Sequence, residues 1–475
     1  MFIKLFGVSN LSLRLANALW GSLALFGFYL LLKKLKLTPL SVLLGTFMLA
    51  FSFWHLDFSR TAYRAIMVPM LIIWIIYFFL AGLESKKKWN WKFFASGALL
   101  GLGFHTYIAF RIFPLAMIIL AVVISRLKKN FWRDYYKTAL LYFSISLIVA
   151  MPILIYFYGH QTDLLNRTEV VSIFDDPKAS HWESFKKSFT VHINAFFFIG
   201  DKNPRHNYNQ NPLLPAPLAA VFMAGFLTSF YEIGKNIRAR RRYKKDKNNA
   251  GQEFIPSAMY IPSVVAQTVF WIMLIPGILS YEGIPHTLRI IGTIPAVYLF
   301  CVLPFGYLEK SISKLPREKK FPNFRMNRQI LLWSLVVAVA VTGLLQPYIY
   351  FKLWAPDAQT VGGFEKKLYD LGNLINELPL HKNNYLITGY NAAVNKEHTQ
   401  TSYKTTEYIA YPKIKSYQDY RPMDGRTAIN CDDTLVVFQD CDQWLRSQYM
   451  ANCPGLRQKV MLPKGGLYAF WVLSY

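Results

Sequence analysis

The chain is poor in acidic residues and in cysteine. Its 475 residues include 27 Asp and Glu against 53 Lys and Arg, which gives a net charge of +26, and only 4 cysteines. A large positive charge can indicate a nucleic-acid partner, but such proteins collect their cations on one surface, with aromatic residues interleaved. Here the cations fall in loops between long apolar segments. We therefore expect no nucleic-acid partner.

The few cysteines leave room for one disulfide. Cys301 lies inside an apolar segment, where it is interpreted as a small apolar filler. Cys431, Cys441 and Cys453 lie in the C-terminal tail, which the charge pattern described below places in an oxidising space. We expect one disulfide and one free thiol there. The sequence does not choose among the three pairings.

The tail, residues 354–475, has no nucleotide-binding glycine loop, no metal-ligand spacing and no apolar run long enough to cross a bilayer. The pattern of its apolar residues predicts a small α/β domain. We expect helices over 364–378 and 441–450, and strands over 385–388, 434–438 and 466–472.

Residues 1–353, in contrast, contain ten strongly apolar segments, most of them near the length of about 20 residues that a hydrocarbon core requires. They predict an α-helical polytopic membrane protein with about ten spans. The spans are expected at 15–32, 39–56, 65–83, 93–110, 112–125, 138–158, 213–231, 260–279, 290–306 and 330–351. The long segment 159–212 between the sixth and seventh spans contains a stretch, 184–199, for which we expect either a helix lying in the membrane interface or a packing lid.

The loops alternate in charge. Those after the odd-numbered spans carry 27 Lys and Arg, whereas the short loops after spans two, four and eight carry 4. Since cationic loops stay on the cytoplasmic side, this alternation predicts an extracytoplasmic C-terminal domain and an external N-terminus in the plasma (inner) membrane. Residues 1–14 do not resemble a signal peptide. They are expected to be the end of an external loop, with a preceding span missing.

Ionisable residues at the outer ends of the spans form four clusters, and all four are predicted to lie on one face. Charged groups at membrane depth are costly, so they indicate function, and Arg and Lys suit an anionic phosphate such as that of a lipid. Simpler roles remain open: Arg60 and Arg64 could snorkel, His105 could be a packing residue, and Asp201 could only form a turn. The clusters are 55–64, 105–111, 200–207 and 285–289.

Five segments resemble bacterial members of the protein O-mannosyltransferase and aminoarabinose transferase family. They are L-F-G-V-S-N-L-S-L-R-L-A-N-A-L-W-G-S-L-A (5–24), F-W-H-L-D-F-S-R-T-A-Y-R (53–64), G-L-G-F-H-T-Y-I-A-F-R-I-F-P (101–114), G-D-K-N-P-R-H-N (200–207) and G-I-P-H-T-L-R-I-I-G-T-I-P-A (283–296). The resemblance implies the C-type glycosyltransferase fold, with the active site at the outer face. It also implies inverting transfer of a hexosyl or pentosyl group from a polyprenyl-phosphate donor to a protein, glycan or lipid acceptor in the cell envelope.

The resemblance also implies roles for individual residues. An aspartate would deprotonate or orient the acceptor, and cations would stabilise the departing lipid phosphate. The family's acid lies in the first external loop, which this chain lacks, so Asp57 in the next external loop is the candidate base. The substrate and lipid-phosphate residues would be Arg60, Arg64, His105, Tyr107, Arg111, Asp201, Arg205, His206, His286 and Arg289. We expect no metal ligands among them, and the need for a divalent metal stays open.

Two other classes of function stay open. A lipid-linked sugar flippase or solute transporter would also place cations at a membrane mouth, although the two halves of the chain show no corresponding proline-broken spans. A truncated or inactive homologue of the glycosyltransferases could act in binding or assembly.

Overall fold

The structure is a computed structural model. It describes residues 2–85, 90–128, 130–162, 171–177, 179–245, 254–313, 322–387, 403–420, 429–440 and 442–474. Contacts divide the chain into two compact units, one of which is Arg14–Ala355 and the other of which joins Met1–Leu13 to Pro356–Tyr475. We keep the domain limits 1–353 and 354–475 as a prediction.

Helices dominate the first unit. In chain order the helices up to the tail are α1 Phe2–Phe6, α2 Asn10–Lys34, α3 Pro39–Phe51, α4 Phe53–Arg60, α5 Met67–Leu83, α6 Trp91–Gly103, α7 Phe113–Ser125, α8 Phe131–Gly159, α9 His181–Asn194, α10 Ala216–Lys245, α11 Tyr260–Ile278, α12 Ile294–Ser313 and α13 Pro322–Tyr348. Short 3-10 turns precede α5, α7 and α12, at Arg64–Ile66, Ile108–Ile112 and Ile291–Thr293. Within the described residues, eight helices are long and apolar enough to cross a membrane, or nine if a bent pair counts as one span.

The difference from the ten expected spans lies mainly in the fourth. The sequence predicted one apolar helix over 93–110, but α6 ends at Gly103 and is followed by a turn and the 3-10 segment Ile108–Ile112. Thirteen helical residues rise only about 20 Å, which is less than the roughly 30 Å of a hydrocarbon core. Helix α6 and the turn after it together return the chain to the end of α5 at which Arg64 lies, because Arg64, His105 and Tyr107 line one cavity. The turn instead carries His105 and Tyr107 at the end of the helix.

The second expected span is the bent pair α3 and α4, whose axes differ by 53°. Ser52 separates them in an extended conformation, and its hydroxyl accepts a hydrogen bond from the backbone N–H of His55. A serine in this position caps the N-terminus of the second helix. The new direction fixes where Asp57 and Arg60 lie.

Helices α5, α11 and α12 are the most buried of the spans. An aromatic cluster joins α10, α11 and α12 to the segment after α9. Phe196 packs on Phe222 and Phe270 with ring centroids 5.8 and 5.6 Å away, and Phe300 of α12 lies 5.5 Å from Phe222. This cluster anchors the loop that begins at Gly200, which carries part of the candidate site.

Two glycines let α6 approach α8 closely. A Cβ atom on Gly97 would lie 2.7 Å from the carbonyl oxygen of Tyr142, and one on Gly101 would collide with the carbonyl oxygen of Ser146. Both pairs are four residues apart, so they fall on one face of each helix. Small residues with this spacing permit close backbone packing between membrane helices.

The tail forms a five-stranded sheet flanked by helices. The strands are β1 Asn383–Ile387, β2 Tyr417–Tyr420, β3 Thr434–Phe438, β4 Arg457–Met461 and β5 Phe470–Ser474, and the helices are α14 Ala358–Gly363, α15 Lys366–Glu377, α16 Tyr403–Ile409 and α17 Gln443–Asn452. The strand order is β2-β1-β3-β5-β4. Strand β1 pairs in parallel with β2 and β3, whereas β5 is antiparallel to β3 and β4.

The α/β tail predicted from the sequence is confirmed, with shifted boundaries. Strand β3 has the expected limits, whereas β5 begins at Phe470 rather than at 466, because Gly465 adopts a positive φ in the preceding turn. Helix α17 begins after Asp442, whose carboxylate accepts a hydrogen bond from the N–H of Leu445. Cys431 pairs with Cys453, while Cys441 lies outside the described residues. Cys301 is buried, as expected.

Candidate functional site

A cavity of about 570 Å³ opens among the ends of several helices of the first unit. It falls within the range of about 300–1,000 Å³ that is typical of ligand pockets. Six of the residues singled out in the sequence line it, namely Arg64, His105, Tyr107, Arg111, His286 and Arg289. The cavity therefore joins three of the four sequence clusters.

The three arginines come from three separate segments. Arg64 begins the 3-10 turn before α5, and Arg111 lies in the turn before α7, where its guanidinium packs 4.6 Å from the ring centre of Phe157. Arg289 donates from Nη1 to the carbonyl oxygen of Glu282 at 2.7 Å. No acidic side chain is among the described residues that line the cavity. The mutual repulsion of Arg64 and Arg111 would be relieved by a bound anion.

The ring of His105 serves two purposes. Its Nε2 lies 2.9 Å from the carbonyl oxygen of Val149, to which it donates a hydrogen bond. This bond joins the end of α6 to α8, as expected for a packing histidine. The same ring also lines the cavity, so the structure combines the two interpretations that the sequence left open.

Asp201 is the centre of a buried hydrogen-bond network. Its Oδ2 accepts from the backbone N–H and the hydroxyl of Thr287, both at 2.9 Å, and from Nδ1 of His206 at 3.1 Å. Its Oδ1 accepts from the N–H of Asn203 at 2.9 Å. Burial alone would raise the pKa of Asp201, but the hydrogen bonds and the charge on His206 outweigh burial and lower the pKa below its usual value. The network pins the loop at 201–206 to the segment before α12.

His286 connects this network to the cavity. Its ring centre is 5.0 Å from that of His206, and its backbone N–H donates to Nε2 of His192 at 3.2 Å. Nδ1 of His192 in turn donates to the carbonyl oxygen of Ser188 at 2.8 Å. Burial lowers the pKa of His192 to about 4, and burial together with the charge of Arg289 lowers the pKa of His286. Both imidazoles are therefore neutral at pH 7.

Asp201, His206 and His286 also offer a carboxylate and two imidazoles whose ligand atoms lie within 4.8 Å of one another. This donor set suits a divalent metal such as zinc. However, the Asp201 oxygens already accept four hydrogen bonds, and a cation would have to displace some of them. The network accounts for the geometry without a metal, and the expectation of no metal ligands stays a prediction.

Five of the residues expected at the site do not line the cavity: Asp201 and His206 of the network described above, and Asp57, Arg60 and Arg205. Asp57 is fully buried in α4, and its carboxylate has no hydrogen-bond partner among the described residues, although it is close enough to Asp201 for their charges to interact. Arg60 stacks 5.0 Å from the ring centre of Phe351. The backbone N–H and Nε of Arg205 both donate to Oδ1 of Asn203 in an exposed turn.

The sequence interpretation missed three polar residues of the network. Thr287 follows His286 directly in the segment 283–296, but the sequence interpretation gave no role to its hydroxyl. Ser188 and His192 lie four residues apart on α9 and are completely buried, as is Ser184 one turn earlier. These polar residues recur at helical spacing, on the side of the helix opposite its exposed lysines. This pattern was the signal in the sequence that could have identified them. The helix expected at 184–199 is present as α9 with the limits His181–Asn194, so residues 195–199 are not part of it. The interface helix and the packing lid stay alternative predictions.

The comparisons with known proteins agree with this architecture. Residues 1–156 match the family model of dolichyl-phosphate-mannose-protein mannosyltransferase. The crystal structure of ArnT from Cupriavidus metallidurans bound to undecaprenyl phosphate is similar to this chain, with a TM-score of 0.50 and 13% identity over 99% of this chain and 85% of that chain.

The chain has an ArnT-like fold. The apo state of the same ArnT aligns with a TM-score of 0.49 and 12% identity over 100% of this chain and 85% of that chain. No protein of curated function matches the chain significantly in sequence. The resemblance and the fold class predicted from the sequence are thus confirmed by the family match over the first third of the chain and by the ArnT-like fold.

Proposed function

We propose that this protein is a membrane glycosyltransferase that transfers a sugar from a polyprenyl-phosphate carrier to an extracytoplasmic acceptor with inversion. One observation carries the proposal. Arg64, Arg111 and Arg289 converge from distant segments on one cavity, and the described lining contains no acidic group. The family match over residues 1–156 and the undecaprenyl phosphate named for the ArnT structure support a lipid phosphate as the anion.

The arginines would act on the leaving group. When the bond between the sugar C1 and the phosphate oxygen breaks, its electron pair stays on that oxygen, and the carrier leaves as a phosphate monoester with an additional negative charge. Guanidinium groups bind such a group through paired hydrogen bonds. Cations fixed where charge develops lower the barrier because they need no reorganisation during the reaction.

The acceptor oxygen would attack C1 from the face opposite the phosphate, which inverts the configuration at that carbon. Its proton passes to a base, for which we propose Asp57. The support is a buried carboxylate without a hydrogen-bond partner in the described part of the chain. Since Asp57 does not line the cavity, this role requires that the acceptor-bound protein opens a path to it. Catalytic hydrogen bonds often form only in the complex with substrate, so the geometry of a ligand-free site does not exclude a candidate base.

The topology belongs to the same proposal. The cavity lies at the ends of the helices whose loops carry few cations. The 27-to-4 distribution of Lys and Arg supports our proposal that those ends lie outside the cytoplasm. We propose that the tail shares that side and that the protein resides in the inner membrane. The sugar, hexosyl or pentosyl, would then reach an acceptor in the cell envelope.

The test is transfer from a labelled polyprenyl-phosphate sugar by the purified chain in liposomes. Arg64→Lys and Arg289→Lys keep the charge but lose the paired hydrogen bonds, and we expect kcat/KM to fall by about 10²–10³. Asp57→Asn should reduce the rate by about 10²–10⁴. The matched control is Arg133→Lys, an exposed arginine at the start of α8, which should retain activity.

Equal activity of the cavity variants and the control would show that the arginines only anchor their helices. Full activity of Asp57→Asn would remove that residue from the mechanism and leave the phosphate site standing. Movement of intact lipid-linked sugar across the bilayer without cleavage of the bond to phosphate would replace the transferase proposal with a flippase or transporter.

A further inference from the structure

A second cavity of about 540 Å³ lies among the end of α7, the last turns of α10 and the first half of α11. Four cations line it: Arg126 follows α7, and Arg240, Arg241 and Lys244 belong to α10. No described residue in its lining is acidic. The walls therefore present a concentrated positive charge.

This basic cavity and the candidate active-site cavity lie toward opposite ends of the same helices. On α11 the basic cavity contacts residues from Tyr260 to Thr268, whereas the other cavity contacts Ile275 and Pro276. At 1.5 Å per residue, Val264 and Ile275 are separated by about 16 Å along the axis. The same order holds along α7, with Arg111 at one end and Val123 at the other.

A hydrogen bond between two helices fixes the position of one cation of the basic cavity. The Arg240 guanidinium donates to the carbonyl oxygen of Arg126, which joins α10 to the end of α7. The nearby acid Glu232 is buried and accepts from the hydroxyl of Ser257 at 2.7 Å, with Lys235 3.6 Å away. It is outside the lining, and its described ion pair is with Lys235, which is outside the lining as well.

Apolar side chains from the same segments also line the cavity. They are Val123, Leu127, Ile233, Ile237 and Val264, and the lining further includes the uncharged polar side chains of Asn236, Gln267 and Thr268. A cavity that combines several cations with apolar side chains between membrane helices suits a ligand with an anionic head and an acyl chain. A free inorganic anion would use the cations and leave the apolar side chains without a partner.

We propose that this cavity binds the phosphate headgroup of an anionic phospholipid in the leaflet opposite the candidate active site. The assignment to the cytoplasmic leaflet rests on the proposed topology, whereas the binding itself does not. Cations on cytoplasmic loops are common. Arg238 and Arg242 are cations of this common type, because they are exposed residues of α10 that do not line the cavity. They provide an internal comparison for the cavity cations.

Native mass spectrometry of the full chain, titrated with phosphatidylglycerol or with phosphatidylcholine, tests the proposal. The double variant Arg240→Gln/Arg241→Gln removes two cavity cations, and the control Arg238→Gln/Arg242→Gln removes two others from the same helix. Both lower the net charge by two. We expect the cavity variant to bind phosphatidylglycerol about thirtyfold more weakly, because each basic residue near an anionic lipid contributes about 1 kcal/mol. The control should change about twofold or less.

Equal losses in the two double variants would overturn the proposal, because they would show unspecific attraction. Equal binding of phosphatidylcholine and phosphatidylglycerol by the unmodified protein would also overturn it. Displacement of the lipid by millimolar inorganic phosphate would assign the cavity to a free anion instead. If the cavity variant elutes as aggregate in size-exclusion chromatography, Lys244→Gln replaces it, with a smaller expected loss of the same selectivity.

Discussion

At the scale of single residues, the hydrogen bonds of His192 favour its neutral form. Nδ1 donates to the carbonyl oxygen of Ser188, and Nε2 accepts from the backbone N–H of His286. A proton added at Nε2 would replace the acceptor with a second donor and break the bond to His286. Burial and the charge of Arg289 disfavour the imidazolium further, while Asp201 and the Ser188 carbonyl oppose them less strongly.

Stability should therefore depend on pH through His192. Its pKa is about 4 in the folded protein and about 6.5 in the unfolded chain. Below pH 6.5 the unfolded state binds more protons than the folded state does. The free energy of unfolding therefore decreases as the pH falls from about 6.5 to about 4, where the folded protein also binds the proton. We expect a loss of about 2 kcal/mol between pH 7 and pH 5 from this residue. His192→Gln cannot titrate, and its thermal unfolding midpoint should fall less over this range. Parallel curves for the two proteins would contradict the assignment.

The sequence identified the cavity arginines because their type and their position in cation-poor loops are both visible without a structure. Arg64, Arg111 and Arg289 each stand next to an apolar segment in a cation-poor loop. The role of Asp201 was less visible, since a Gly-Asp-x-Asn-Pro segment also forms a turn. The structure shows both, because Oδ1 closes the turn on Asn203 and Oδ2 holds Thr287. Such a contact over 86 residues has no local signal.

At the scale of helices, the contact of α6 with α8 determines where part of the cavity wall stands. Gly101 faces the Ser146 carbonyl oxygen, and four residues later His105 bonds to the carbonyl oxygen of Val149 on the same helix. A side chain at Gly101 would push the helices apart just below this bond. Close packing of this kind tolerates no added volume without strain.

We expect Gly101→Ala to destabilise the protein by about 1–3 kcal/mol, the usual cost of overpacking. Gly234→Ala is the matched control, since it lies inside α10 and no described atom is within 4 Å of the added Cβ. It should stabilise by about 0.5–1 kcal/mol, because alanine favours the helix over glycine. The measurement is the thermal unfolding midpoint of each variant in one detergent. A lower midpoint for Gly234→Ala than for Gly101→Ala would refute the packing argument.

Periodicity predicted most helices but not every element. Strand β3 was predicted with correct limits because all of its residues are buried and apolar or β-branched. Strands β2 and β4, with the sequences Y-Q-D-Y and R-Q-K-V-M, were missed. Both lie at the edges of the sheet, where polar and charged residues protect against pairing with other chains and remove the apolar signal. The bend at Ser52 was missed because its cap is a single hydrogen bond within a continuous apolar run.

At the scale of the whole molecule, the two cavities lie at opposite ends of the helices, and these ends differ in the number of cations in their loops. One is lined by three arginines at the cation-poor ends of the helices, and the other by four cations at the cation-rich ends. Under the topology predicted from the loops, our two proposals assign a lipid-linked donor to one leaflet and an anionic phospholipid to the other. The orientation of the protein in the membrane therefore decides in which leaflet each proposed ligand binds.

Labelling of single cysteines in intact cells tests that orientation. In a background without the native cysteines, we expect an impermeant thiol reagent to modify cysteines at Lys202 and Glu282, near the candidate active site. Positions Ser85 and Lys244, in cation-rich segments, should react only after the membrane is permeabilised. All four residues are at least partly exposed in the structure, so protection reflects the bilayer rather than burial. Labelling of Lys244 from outside, with Lys202 protected, would invert the topology and place the arginine-lined cavity in the cytoplasm.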